Sequence, residues 1–176
     1  MPGDYLLALD IGTTAIKVGL FHGDGTLAGM AAREQQLAFP APGRVEQSPQ
    51  VAIELMADGL AELLADIDPH AIAGIGITNH RGTAIALDAD GRPLSDFVVW
   101  MDKRGAPYVE WLDEHIGLER YYDTAGHPLV SYTGISKVLW FQRSATAIWD
   151  NAAVVGPPQT FFLKWLGCDD LVCDVS

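Results

Sequence analysis

Cysteine is scarce: Cys168 and Cys173 are the only two among 176 residues, and their separation fits neither a CxxC redox pair nor a zinc-ligand pair. Two reduced thiols are the reading. Cations are few as well, with 11 Lys and Arg against 23 Asp and Glu and a formal net charge of −12. Nucleic-acid backbones and anionic membrane surfaces both require a cationic face, so neither is expected as a partner and a small molecule is expected instead. No apolar run approaches the length that spans a bilayer and no basic-then-apolar leader opens the sequence, which reads as a cytoplasmic protein. Low-complexity tracts and repeats of solenoid period are missing. The histidines His22, His70, His115 and His127 lack metal-ligand spacing and read as solvated or structural.

What the chain does have is an ordinary globular composition, 49% apolar and 19% charged, long enough for one domain or for one lobe of a larger protein. Its most informative stretch runs from Leu6 to Val18. There an apolar strand reaches Asp10, turns on Gly12-Thr13-Thr14 and returns as a second strand carrying Lys17. Such a hairpin gathers a carboxylate, two hydroxyls, turn amides and an ammonium at one end, a set suited to phosphate oxygens and a hydrated metal. Gly12 is expected to supply close backbone approach or a φ closed to other residues. An ordinary hairpin turn explains the same residues equally well when the motif is taken alone.

Strands are expected over 5–10, 15–21 and 26–33 as an antiparallel meander. Ser48-Pro49 then reads as a cap and first position of a helix running from Val51 to about Ala65, with Ile53, Leu55, Met56, Leu60, Leu63 and Leu64 forming its buried face. The apolar run 71–78 follows a crossover helix, so it is expected to be a buried, parallel strand. Further strands are expected at 83–88 and 97–100 around the turn Asp88-Ala89-Asp90-Gly91, and helices at 106–116, 136–150 and 158–166.

A mixed α/β sheet with an opening antiparallel meander, flanking helices and a phosphate-type first turn resembles the ribonuclease H-like fold of actin, chaperone ATPases and sugar kinases. Within that group, Ile75-Gly76-Ile77-Thr78-Asn79-His80-Arg81-Gly82-Thr83, Asp88-Ala89-Asp90-Gly91-Arg92-Pro93-Leu94 and Val98-Val99-Trp100-Met101-Asp102-Lys103-Arg104 closely resemble the FGGY family of carbohydrate kinases. So do Pro42-Gly43-Arg44-Val45-Glu46-Gln47, Gly126-His127-Pro128-Leu129 and Ser136-Lys137-Val138-Leu139-Trp140, and all occur in the family's order along the whole chain.

The resemblance implies a phosphotransferase of carbohydrate metabolism that phosphorylates a hydroxyl of a sugar or polyol with ATP and Mg2+. It assigns Asp10 to the magnesium shell and Gly12, Thr13, Thr14 and Lys17 to the nucleotide phosphates. Arg81, Gly82, Trp100, Asp102 and Tyr132 fall at acceptor-binding positions, with Trp100 stacking a sugar face and Asp102 accepting sugar hydroxyl bonds. Gly82 departs from glycerol kinases, which carry a carboxylate directly after the matching arginine. That departure speaks against glycerol and leaves pentuloses, hexuloses, aldonates and small polyols open.

In the family the catalytic base and the adenosine site lie further along than the position matching Ser176. The resemblance therefore assigns no catalytic residue here and implies an incomplete first lobe over residues 1–176, inactive alone and prone to self-association through uncovered apolar surface. A non-catalytic sugar- or phosphate-binding scaffold of the same fold is the alternative.

Overall fold

The computed structural model describes residues 4–174. In chain order, strands β1 (Tyr5–Ile11), β2 (Ala15–His22), β3 (Leu27–Glu34) and the short β4 (Glu46–Gln47) lead to helix α1 (Pro49–Leu63) and strand β5 (Ile72–Asn79). Strands β6 (Ile85–Leu87) and β7 (Phe97–Val98) follow, then helices α2 (Pro107–Ile116), α3 (Leu118–Ala125), α4 (Gly134–Ser144) and α5 (Thr146–Trp149), strand β8 (Val154–Gly156) and helix α6 (Pro158–Trp165). The chain divides into two compact units: one takes residues up to Leu37 together with Ser48–His80, and the other takes Ala38–Gln47 together with everything from Arg81 onward.

The first unit is a mixed sheet of order β3-β2-β1-β5, antiparallel across the meander and parallel between β1 and β5. Alternation along β1 and β2 puts Leu7, Leu9 and Ile11 in register with Leu20, Val18 and Ile16, and all six are buried. Helix α1 starts where Ser48 caps it by accepting the Val51 N–H, with Pro49 in the first turn. Its buried stripe is Ala52, Met56 and Gly59, so of the face expected only Met56 is buried, and Ile53, Leu55, Leu60, Leu63 and Leu64 are only half-buried. The reason is close approach: a Cβ at Gly59 would already sit 3.2 Å from Val18 Cγ2, so the helix meets the sheet too closely at that point for a large side chain.

Strand β5 is parallel, as expected of a strand after a crossover helix, but it is not buried. It forms the sheet edge, and Ile75 is 54% exposed.

The second unit holds two short antiparallel pairs, β4 with β7 and β6 with β8, among the remaining helices. The turn before β7 forms as expected: Gly91 takes a φ of +80°, and the Asp88 carboxylate accepts the Asp90 and Arg92 N–H groups. Phe97 meets Phe161 edge-on at 5.8 Å and stacks on Phe162 at 6.4 Å, which seats α6. A second cluster joins Ala84, Ala86, Val98 and Phe141 to Trp140, Trp149 and Val155.

The long helix expected over 136–150 is interrupted at Ala145, whose N–H is shared between the Trp140 and Phe141 carbonyls at the end of α4. Helix α3 follows α2 directly after Gly117, whose φ of +85° redirects the chain. Both cysteines are free thiols, and no helix among the described residues is long and apolar enough to cross a membrane.

Candidate functional site

At the mouth of the β1–β2 hairpin, register places Asp10 opposite Lys17, and their charged groups approach to 3.6 Å with both side chains about half exposed. An ion pair this open contributes little to stability, so both groups can turn to a ligand at small cost. The connecting turn is held from beneath by a residue that sequence reasoning did not single out. Gln35 donates its backbone N–H to the Thr14 carbonyl and its Nε2 to the Gly12 carbonyl, each at 2.9 Å. That contact spans 23 positions, and no local pattern announces it.

Of the two roles expected for Gly12, the special φ does not hold. Its φ is not positive; instead its N–H donates to the Ala15 carbonyl at 3.0 Å, and a Cβ would stand 2.7 Å from that oxygen. This amide is thereby spent within the turn. Thr14 is exposed and Thr13 half-buried.

His80, at the end of β5, donates its N–H to the Ile11 carbonyl. Burial lowers its imidazole to about 4, although the Asp10 charge pulls the other way, so the ring is neutral at physiological pH.

Among the described residues no three His, Cys, Asp or Glu side chains gather around a common point. Asp10 is thus a single carboxylate, a donor set that fits magnesium held mainly by water and phosphate oxygens rather than by a protein cage.

In the second unit, Gly82, Trp100 and Tyr132 come together. Gly82 has a φ of +71°, and a Cβ there would overlap the Tyr132 carbonyl oxygen and lie 3.4 Å from the Trp100 Cβ. The backbone at this point admits no side chain without strain. Trp100 is not core: the residue is 38% exposed, while its backbone is held on two sides. Its N–H donates to Thr83 Oγ1 at 3.0 Å, and its carbonyl accepts from Lys137 Nζ at 3.4 Å. The Tyr132 ring is exposed, and so is Arg81, which makes no ion pair among the described residues.

Asp102 differs from its expected role. Its side chain is fully buried, and both oxygens are occupied by the protein. Oδ1 accepts the Arg104 N–H and Nε, and Oδ2 accepts the Val45 N–H and Arg104 Nη2, all within 2.7–2.8 Å. No lone pair is left for a sugar hydroxyl, so Asp102 holds this loop from within rather than accepting such a bond. Burial alone would raise this carboxyl; the bonds from Arg104 and Val45 outweigh it and hold the group below the usual carboxylate range.

Behind the same loop lies Lys137, with no exposed surface at all. Burial brings its ammonium down to about 8, with Asp102 opposing the shift and Arg104 adding to it. The motif containing Lys137 was visible in the sequence, but nothing local indicated that the side chain turns inward.

The sequence-derived residues therefore fall into two sets. The phosphate-side set (Asp10, Gly12, Thr13, Thr14, Lys17) belongs to the first unit, and the acceptor-side set (Arg81, Gly82, Trp100, Tyr132, with Asp102 beneath) to the second.

Residues 5–176 match the model of the FGGY family of carbohydrate kinases, N-terminal domain. A glycerol kinase of Leifsonia xyli subsp. xyli is 32% identical over 152 residues, covering 85% of this chain and 30% of that protein. A solved xylulose kinase from Brucella ovis superposes with a TM-score of 0.83 at 26% identity, over 92% of this chain and 33% of that one. The Plasmodium falciparum glycerol kinase solved with ADP has the same fold, with a TM-score of 0.78 at 23% identity over 90% of this chain and 33% of that one. The chain spans about a third of the length of the relatives it matches. Its mixed sheet and helices are the first part of the actin-like sugar kinase fold, and the chain belongs to the FGGY family of carbohydrate kinases, matching its N-terminal domain.

Proposed function

We propose that this chain is the N-terminal, phosphate- and acceptor-holding domain of an enzyme that transfers the terminal phosphoryl group of ATP to a hydroxyl of a sugar or polyol. The observation that carries this reading is the open Asp10–Lys17 pair at a turn clamped by Gln35, within a family match that spans residues 5–176. Phosphoryl transfer depends on positioning and on countering charge, and a rigid turn bearing a loosely engaged carboxylate and ammonium supplies both. In the proposed arrangement Lys17 and the Thr13 and Thr14 hydroxyls meet phosphate oxygens. Asp10, through water, would hold magnesium, which when bound neutralises charge on the phosphates. Arg81 donates to acceptor hydroxyls, and the Trp100 and Tyr132 rings cover the acceptor's apolar face. A reaction that consumes ATP belongs where the nucleotide is kept, and the cytoplasm is the proposed compartment.

The left-handed backbone at Gly82 supports an acceptor other than glycerol, because a residue carrying a carboxylate would be strained in this conformation. The test is ADP release by the whole protein that carries this domain, with glycerol, xylulose, ribulose, fructose and gluconate as acceptors. Turnover with at least one acceptor is expected, abolished in Asp10→Asn and shifted to higher KM in Arg81→Ala. Undiminished turnover in Asp10→Asn, or no turnover with any sugar or polyol, would defeat the proposal. Glycerol as the best substrate would defeat the part that rests on Gly82.

A further inference from the structure

The second unit contains a cleft of about 410 Å3 whose walls are Pro42, Gly43, Arg44, Lys103, Arg104, Pro107, Tyr108, Trp140 and Ser144. Three of the chain's 11 Lys and Arg residues converge on it, and none of its 23 Asp and Glu residues lines it. In a chain of net charge −12, that reversal of sign needs an explanation.

Arg104 is already neutralised, since it pairs with Asp102 and Glu46 beneath the cleft. Arg44 and Lys103 are not: both are exposed, and neither makes an ion pair among the described residues. They are nevertheless held near one another, because the Lys103 N–H donates to the Gly43 carbonyl at 2.8 Å and so ties the two loops together. The Arg44 guanidinium lies 5.8 Å, and that of Arg104 4.6 Å, from the centre of the Trp140 ring. With Arg104 neutralised from beneath, Arg44 brings to the indole a charge that has no ion-pair partner, one that an anion in the cleft would balance. Tyr108 and Ser144, hydroxyl to hydroxyl at 2.6 Å, add polar hydrogens to the wall, while Trp140, Pro42 and Pro107 offer apolar surface.

We infer that this cleft is a binding site for a small organic phosphate monoester, separate from the acceptor-side set. Its phosphate would be held by Arg44 and Lys103, and its organic part would lie against Trp140. The charge selects the ligand. Two cations without ion-pair partners match a phosphate monoester, which carries nearly two negative charges at neutral pH, better than a carboxylate, which carries one. None of Arg81, Gly82, Trp100 and Tyr132 lines the cleft, so the inference does not depend on how the acceptor is bound.

The experiment is calorimetric titration of this chain with phenyl phosphate, inorganic phosphate and benzoate at low and physiological salt. Phenyl phosphate is expected to bind more tightly than the other two, and to weaken about tenfold or more in Arg44→Gln and in Lys103→Gln, each an exposed position whose replacement keeps the circular dichroism of the parent. Lys17→Gln removes a cation of the proposed nucleotide site and should leave this binding unchanged. Loss of binding in Lys17→Gln with retention in Lys103→Gln would place the phosphate at the β1–β2 hairpin and overturn the inference without touching the proposed function. Equal affinity for inorganic and phenyl phosphate would overturn the part assigned to Trp140. Failure of phenyl phosphate to bind at millimolar concentration would mean that Arg44 and Lys103 are only solvated surface charges.

Discussion

Arg104 grips Asp102 with both prongs of its guanidinium, Nε to Oδ1 and Nη2 to Oδ2, each at 2.8 Å. The Asp102 side chain is fully buried and that of Arg104 only 6% exposed, so the pair closes the loop after β7 from within.

Breaking this pair should be expensive, because either partner left alone would be a buried charge. Arg104→Ala is expected to cost roughly 3–5 kcal/mol in urea denaturation. Arg104→Lys should recover little of that loss, since an ammonium cannot make the two parallel bonds. A cost below about 1 kcal/mol for Arg104→Ala would mean that water reaches Asp102 and that the loop is not held by this contact.

Gly82 offers a test of backbone rather than of charge. With a φ of +71° and no room for a Cβ beside the Tyr132 carbonyl, Gly82→Ala should destabilise by about 1–3 kcal/mol. Gly82→Glu, which restores the residue type of glycerol kinases, should be no better. Wild-type stability in Gly82→Glu would show that this loop can adopt the alternative backbone, and the argument against glycerol would fall with it.

These two sites mark the limits of what the sequence discloses. The meander, its turns, the cap at Ser48 and the parallel direction of β5 were legible because each rests on local alternation, a turn residue or a short-range rule. The exposure of β5 was not legible, since an apolar run does not reveal whether its strand ends up central or at an edge. The run Asp102-Lys103-Arg104 is polar throughout in the sequence, yet alternate members point inward and outward. Asp102 and Arg104 pair in the interior while Lys103 remains exposed, and only the third dimension separates them. Gln35 escaped notice for the same reason, because its partners lie across the hairpin rather than along the helix or strand period.

Lys137 should make stability depend on pH in a defined window. Its ammonium titrates at about 8 when folded and at 10.5 in an exposed lysine. Between those values the unfolded chain holds more protons than the folded one, so stability rises with pH from 8 to 10.5 and is flat below 8, where both forms are charged. The rise is at most about 3 kcal/mol. Lys137→Met should abolish this rise and be relatively more stable at pH 7 than at pH 10, as measured by urea titrations at a series of pH values. A Lys137→Met curve parallel to that of the parent across the window would show that the lysine stays charged in the fold.

Trp100 is the residue whose exposure most directly bears on the proposed acceptor binding. Its amide and carbonyl are pinned by Thr83 and Lys137, while the residue is partly exposed, so the ring is presented by a fixed backbone and carries little of the core. Trp100→Phe should therefore cost no more than about 1 kcal/mol of stability in this chain, as measured by denaturation. In the whole protein the same change should weaken binding of the accepted sugar severalfold, consistent with the roughly 0.5–1.5 kcal/mol that a good aromatic contact contributes. It should also remove the fluorescence response to that sugar. The tryptophans at 111, 140, 149 and 165 all emit, so the difference between parent and variant is the readout, not the raw spectrum. A loss of several kcal/mol with sugar affinity unchanged would place the indole in the packing of the second unit and remove Trp100 from the acceptor-side set.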